Sequence, residues 1–305
     1  MKKVLSISLG SSSRDHTTVE TLLEQEIEIS RQGMNGDLQK ALATYAALDG
    51  KVDAFGVGGM EFYLKAGERK YFFRESKKIR KIVKRSKIGD GNGIKEILVQ
   101  RAVNALELHL QKHENRSLRG MKALKTTAVD RYNMAETLVN AGCEVTFGDF
   151  MFALGIPLPV HRLATVRLVA ALLLPIVTNA PHHWLYPLGV EQDKAPEPKW
   201  GKYYEEADIL AGDFVQIRAH MPDDLSGKIV LTNTTTAQNV EELKKRNLHI
   251  LVTTTPRFKG RSFGTNVMEA TLLALMDKPQ AEVTPQDYKN LIERIPLNPN
   301  IEVLN

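Results

Sequence analysis

The sequence is short of several things, and each shortage removes a class of protein. It has one cysteine, Cys143, in 305 residues. An internal disulfide, a CxxC redox motif and a cysteine-based zinc site are therefore excluded, and a reducing cytoplasm is the expected setting. Long apolar runs are also missing. The most apolar stretch, Leu163–Val177, is interrupted by Arg167 and Pro175 and falls short of the roughly 18–20 residues that cross a bilayer. It reads as a buried helix, and no membrane partner is expected. The opening residues alternate apolar and serine positions before Arg14, Asp15 and His16, so they read as a first strand rather than a leader. Neither a G-x-G-x-x-G nor a Walker pattern occurs. No metal-ligand spacing occurs either, and His182-His183 read as structural histidines rather than ligands.

What remains is an ordinarily globular composition with 43% hydrophobic residues and a formal charge of +5. That charge is unevenly placed. Residues 65–87 hold 11 basic and 2 acidic side chains, and the rest of the chain is slightly acidic. Ile79, Ile82 and Val83 give this block an i, i+3, i+4 apolar stripe, so it reads as an amphipathic helix over 75–85 with a solvated basic face. Nucleic acid is disfavoured as a partner, because a strand through Tyr71-Phe72-Phe73 buries alternate rings and leaves no stacking platform.

Strand and helix signals alternate along the chain. Strands are expected at 3–9, 26–30 and 52–57, helices at 17–23 and 37–48, then a hairpin around Ala66-Gly67. The Gly89–Gly93 string opens a long helix. It reads as a tight turn or lid, with an anion cradle as the alternative. After a polar stretch at 112–119 the same grammar restarts. The expectation is an α/β fold of two Rossmann-like lobes, 1–118 and 119–305, with mainly parallel sheets and a ligand cleft between them.

Loops after strand ends carry the site in such folds, because helix N-termini there offer free N–H groups. Four candidates follow. Gly10, Ser11, Ser12 and Arg14 lie after the first strand, with Asp15 as a helix cap. Asp130 and Arg131 lie after the first strand of the second lobe. Thr234 lies in a threonine-rich loop where Thr235 and Gln238 have capping-box spacing. Thr254, Arg261, Ser262, Thr265 and Asn266 make the fourth group. Asp149 and Asp213 each follow a glycine at an apparent strand end, and with Asp130 they are the candidate acid/base residues. The expected ligand is a small anionic or polyhydroxylated molecule, and a homodimer is the candidate assembly.

Ser8–His16, Asp49–Gly56, Thr253–Pro256 and Gly260–Asn266 together resemble a bacterial group called quinate 5-dehydrogenase, over nearly the whole chain. The resemblance implies an oxidoreductase that uses NAD or NADP on a cyclic hydroxy acid such as quinate, with Arg14, Arg131 or Arg261 holding the carboxylate. Asn233-Thr234-Thr235 lacks the Pro-x-Lys that follows in shikimate dehydrogenases, so no catalytic lysine is carried over. Two other classes share these loops. One is a transferase or hydrolase acting on a phosphorylated small molecule, and the other is a non-catalytic ligand sensor.

Overall fold

A computed structural model describes residues 1–180, 197–255, 257–258, 261–262, 264–295 and 297–305, the side chains of 257, 258, 261 and 262 excepted. The first sheet contains β1 (Lys2–Ser8), β2 (His16–Leu22), β3 (Gln25–Gly33), β4 (Ala54–Gly58) and β7 (Lys87–Gly89), in the order β2-β3-β1-β4-β7. The chain between β3 and β4 forms α1 (Leu38–Leu48). Between β4 and β7 it forms the hairpin β5 (Tyr63–Ala66) and β6 (Arg69–Phe72), then α2 (Ser76–Ile82). The helix α3 (Lys95–Glu114) leads to β8 (Lys122–Lys125), α4 (Tyr132–Asn140), β9 (Glu144–Phe147), α5 (Asp149–Leu154) and α6 (Leu163–Val177). After residue 197 come α7 (Gly201–Glu206), β10 (Ile209–Ala211), α8 (Phe214–Ala219), β11 (Ile229–Thr232), α9 (Ala237–Lys245) and β12 (Ile250–Thr253). A two-stranded ribbon, β13 (Arg257–Phe258) and β14 (Arg261–Ser262), precedes α10 (Thr265–Leu275), α11 (Pro285–Arg294) and β15 (Asn300–Val303). The second sheet runs β15-β12-β11-β10-β8-β9. All its pairings are parallel except β12 with β15, and the first sheet is parallel except for β2 with β3.

The expected α/β architecture with two mainly parallel sheets is therefore present. Helices cover both faces of each sheet. On the first, Ile7, Phe55 and Val57 pack on α1 and α2, while Val4, Ile27, Ile29 and Ala54 pack on α10 and α11. On the second, α3, α4 and α6 cover one face and α7, α8 and α9 the other. The expected division at residue 118 is crossed twice. Val99, Ala102, Leu106 and Leu110 of α3 join the core of the second sheet, and residues 265–297 return to close the first.

Four local expectations change. Residues 17–23 form strand β2 rather than a helix, because Thr17, Thr18, Val19 and Thr21 are β-branched and Leu23-Glu24 turn the chain back at φ 50° and 63°. The basic helix stops at Ile82 rather than 85, because the Asp49 carboxylate accepts the N–H groups of Lys84, Arg85 and Ser86 and draws them out of helical geometry. The capping box of α9 falls on Thr236 and Asn239, one residue later than the spacing suggested. Only one face of α6 is buried (Val166, Ala170, Leu174). Leu168, Leu172 and Ile176 are 61–70% exposed, since they point away from the core under the hairpin.

Candidate functional site

In the second sheet the chain leaves β8 toward β9 on one side and β10 on the other, so the strand order reverses there. Parallel sheets open a crevice at that point, beyond their carboxyl ends. The residues that follow the strand ends close on one another. Lys125, the last residue of β8, is fully buried, and its Nζ donates to the Thr127 carbonyl at 2.6 Å. Thr126 and Thr127 donate their hydroxyls to Gln216 of α8 at 3.0 and 2.7 Å. Gly212 makes this approach feasible, because any Cβ there would collide with the Thr126 hydroxyl.

Arg131 is the hub. Its Nη2 donates to Asp213 Oδ2 at 2.8 Å, and its Nε lies 3.5 Å from Asp130 Oδ2. The Asn233 amide, oriented with its oxygen toward Arg131, accepts from Nη2 at 3.0 Å. Thr254 Oγ1 lies 3.5 Å from that same amide. Asp149 Oδ1 accepts the Val129 N–H at 2.8 Å, which ties the end of β9 to the turn after β8. Burial raises the Asp149 pKa, against the lowering by these N–H groups and by Lys125. Burial also lowers Lys125 to about 8, with Asp130, Asp149 and Asp213 opposing the shift.

The first lobe presents Glu61, three residues past the end of β4. One of its carboxylate oxygens pairs closely with Lys95, the first residue of α3. Burial pushes the Glu61 carboxyl up to about 7, with Lys95 opposing, Asp130 adding and Arg131 opposing. Those last two belong to the other lobe, so the carboxyl ends of both sheets share one electrostatic environment. Four buried polar atoms here make no hydrogen bond: Glu61 Oε2, Arg131 Nε, Asp149 Oδ2 and Thr232 Oγ1. Atoms of this kind need a partner from solvent or from a bound molecule.

The structure thus brings together Asp130, Arg131, Asp149, Asp213 and Thr254, with Thr234 half-buried on the adjoining loop. The other candidates lie on the first sheet or outside the described residues. Thr265 packs against Gly91, and Asn266 donates to Ser6 at 2.8 Å on the face of the first sheet. Gly10, Ser11, Ser12 and Arg14 form a turn between two strands, not a strand-to-helix loop, and Asp15 caps no α-helix. Instead Asp15 accepts from Arg31 and from the Gly33 N–H, both at 2.7 Å. The side chains of Arg261 and Ser262 lie outside the described residues, as do His182 and His183. The Gly89–Gly93 string does cradle an anion, but that anion is internal. The buried Glu269 carboxylate accepts the Gly91 N–H at 2.6 Å and the Tyr288 hydroxyl at 2.9 Å.

A dinucleotide would need free N–H groups at a first turn. In the first lobe the N–H of Gly10 is taken by Ser8 Oγ, that of Ser12 by Asn35 and that of Ser13 by Ser11 Oγ. In the second, Asp149 occupies the N–H of Val129, and Asp130 and Asp213 flank the helix start. At both first turns these N–H groups are thus held by the chain's own acceptors. Among the described residues no group of three or more His, Cys, Asp or Glu could hold a metal ion, and no helix is long and apolar enough to cross a membrane. Cys143 is buried, its thiol pushed up to about 11 by burial, which leaves it unreactive.

Glu61, Lys95, Lys125 and Asn233 escaped the sequence reading. Lys125 and Glu61 carried a usable signal: an ionisable residue at, or just past, the carboxyl end of an otherwise apolar strand. Lys95 carried none, since it is one cation among many at a helix start.

The fold and these contacts define a doubly wound α/β protein with two mainly parallel sheets, whose strand ends converge on a cluster of paired, largely buried charges. Residues 93–304 match the family described as "Domain of unknown function (DUF8754)", and the chain belongs to that family. Residues 3–90 match the one described as "Domain of unknown function (DUF8753)". No curated protein matches the chain. Solved structures similar over most of its length include one from Mycobacterium smegmatis, with 10% identity, 100% of this chain and 91% of that one covered and a TM-score of 0.35. A galactofuranose binding protein has 8% identity, 100% and 95% coverage and a TM-score of 0.38. A dipicolinate synthase component from Bacillus halodurans has 10% identity, 91% and 98% coverage and a TM-score of 0.29.

Proposed function

We propose that the inter-lobe cleft binds a small polyhydroxylated molecule and catalyses proton transfer at one of its hydroxyl groups. The observation that supports this reading is the set of buried, unpartnered polar atoms gathered at the strand ends. Those atoms are chiefly carboxylate and guanidinium groups, which suit hydroxyl donors and acceptors. Four carboxyl groups (Glu61, Asp130, Asp149, Asp213) stand against three cations (Lys95, Lys125, Arg131). Arg131 is already matched by Asp130 and Asp213, and Lys95 by Glu61. Little positive charge is left over for a ligand anion, so polyhydroxylated character matters more than acidity.

Glu61 is the group to accept the proton. A carboxyl near pH 7 works as both acid and base at neutral pH, and Glu61 keeps one oxygen unpartnered. Lys95 and Arg131 beside it stabilise the alkoxide that develops as the hydroxyl loses its proton. Lys125 is a positioning residue that holds the turn carrying Asp130 and Arg131. Oxidation of a cyclic hydroxy acid with NAD or NADP remains the particular form of this reading implied by the sequence resemblance. The occupied N–H groups of Gly10, Ser12 and Ser13 at the first turn of the first lobe weigh against a nucleotide there. A panel of cyclic polyols and hydroxy acids, with and without each nucleotide, tests both levels. Saturable binding of polyols that is lost in Glu61→Gln and Arg131→Met supports the cleft reading, and nucleotide-dependent turnover of quinate would restore the oxidoreductase. No binding of any member by the wild type would overturn the proposal.

A further inference from the structure

The cleft leaves the basic block of residues 65–87 without a role, and the fold brings the end of that block, Arg85 and Lys87, to the opposite end of the first sheet. Lys2 begins β1, Lys87 begins β7, and Gly50, Val52 and Asp53 run into β4. Together with Arg85 they surround a hollow of about 360 Å³ at the amino ends of these strands. Its cations are held in place. Arg85 donates to the Asp49 carbonyl and lies 3.7 Å from the Asp49 carboxylate, crossing Gly50, where a Cβ would come within 2.7 Å of its Nε. Its side chain is nevertheless 72% exposed. Lys87 donates to the carbonyls of Leu273 and Met276 at the end of α10. Lys2 lies 3.3 Å from Asp53, the single carboxylate in the hollow. Three oriented cations thus stand beside two acids, Asp49 against Arg85 and Asp53 against Lys2.

The same surface continues along α2. Arg74, Lys77, Lys78, Arg80, Lys81 and Lys84 are all exposed, and none makes an ion pair among the described residues. Within α2, Lys77, Lys78 and Lys81 fall at helical spacing on one face, and past the helix end Lys84 and Arg85 carry the basic surface on to the hollow. Unbalanced like charges at this density repel, and a ligand carrying several negative charges relieves that repulsion.

We propose that the outer face of α2 and the hollow at its end form a second site, which binds a small molecule bearing several phosphate groups. Phosphate suits a fixed guanidinium flanked by ammonium groups. A single carboxylate would leave most of the cations unbalanced. A nucleic-acid strand would also need rings to stack on along the stripe. The exposed ring nearby, Phe72, sits on the hairpin instead.

Calorimetric titration of the full chain with inorganic tripolyphosphate at low salt is the direct test, with sulfate as the single-anion control. We expect saturable tripolyphosphate binding and none for sulfate. The charge reversals Lys81→Glu with Lys84→Glu, and separately Arg85→Ala, each weaken it about tenfold or more. Arg131→Met in the cleft leaves it unchanged, which separates this site from the cleft reading. The substitutions at 81, 84 and 85 alter exposed side chains, and unchanged melting temperatures serve as their folding control. Equal affinity of the wild type and these variants, or no saturable binding, would overturn the proposal. So would a single-stranded oligonucleotide or an acidic peptide that binds through the same cations and is not displaced by tripolyphosphate.

Discussion

The two ends of the strands treat charge in opposite ways. At the carboxyl ends Arg131, Lys125 and Lys95 are buried, and each lies against a named carboxylate or carbonyl. Along α2 the cations are exposed and make no ion pair among the described residues, and at the amino end of the first sheet Lys2, Arg85 and Lys87 are half-exposed or exposed beside Asp53, Asp49 and the end of α10. Burial explains the difference. A charge removed from water must be matched within the protein, and a solvated one need not be. Charge in the cleft is therefore part of the fold's stability, and charge on the α2 face is free to serve a partner.

Removing one member of the buried set should cost the most. Arg131→Met removes the cation between Asp130 and Asp213 and should lower unfolding stability by about 2–3 kcal/mol in urea titration. A loss below about 1 kcal/mol would mean that the cluster is solvated and the comparison false. Next comes the internal anion cradle. Gly93→Ala sets a Cβ against the Glu269 carboxylate and within 2.9 Å of the Tyr288 ring, which should cost about 1–3 kcal/mol.

Dependence on pH sharpens the contrast further. Glu61 and Glu269 are both pushed up to about 7 by burial. Between their unfolded value of 4.5 and about 7, the folded chain holds protons that the unfolded chain has released, so stability falls as pH rises through that interval. Lys125 has the reverse sign. Its folded value of about 8 lies below 10.5, so the unfolded chain holds the extra proton and stability climbs as pH rises from 8 toward 10.5. Urea midpoints measured across pH should show these groups producing a minimum between about 7 and 8. Glu269→Gln should flatten the falling side and Lys125→Met the rising side. Midpoints that rise from pH 5 to 7.5 and are unaltered by Glu269→Gln would contradict the burial argument. The smallest effect belongs to the α2 face. Lys81→Ala should change stability by less than about 0.5 kcal/mol at any pH, since it touches nothing that folding requires.

Much of the second lobe was legible because its signals are local. Tyr132–Asn140 and the strands at 209, 229 and 250 are bounded by glycine, asparagine or threonine turns and carry uniform apolar runs. Asp130, Arg131 and Asp213 could be picked out by position after strand ends. The hairpin of β2 and β3 could not, since its turn residues Leu23 and Glu24 take positive φ without the usual glycine or asparagine. The Glu61–Lys95 pair was equally hidden. Its members are 34 residues apart, and only the approach of α3 to the end of β4 brings them together. The return of α10 to the first sheet was hidden for a similar reason, its Thr265 end lying beside Gly91 and its far end beside Lys87. A helix is readable from its own residues, but the sheet it covers is not.

The central claim is that a ligand enters between the carboxyl ends of the two sheets. Hydrogen–deuterium exchange with a saturating polyol identified from the panel tests it most directly. The account predicts new protection at Glu61, Lys95, 125–131, 212–216 and 233–236, with residues 76–85 unchanged. Protection confined to the α2 face, or to the hollow beside Lys122, Cys143 and His161 at the edge of the second sheet, would contradict it.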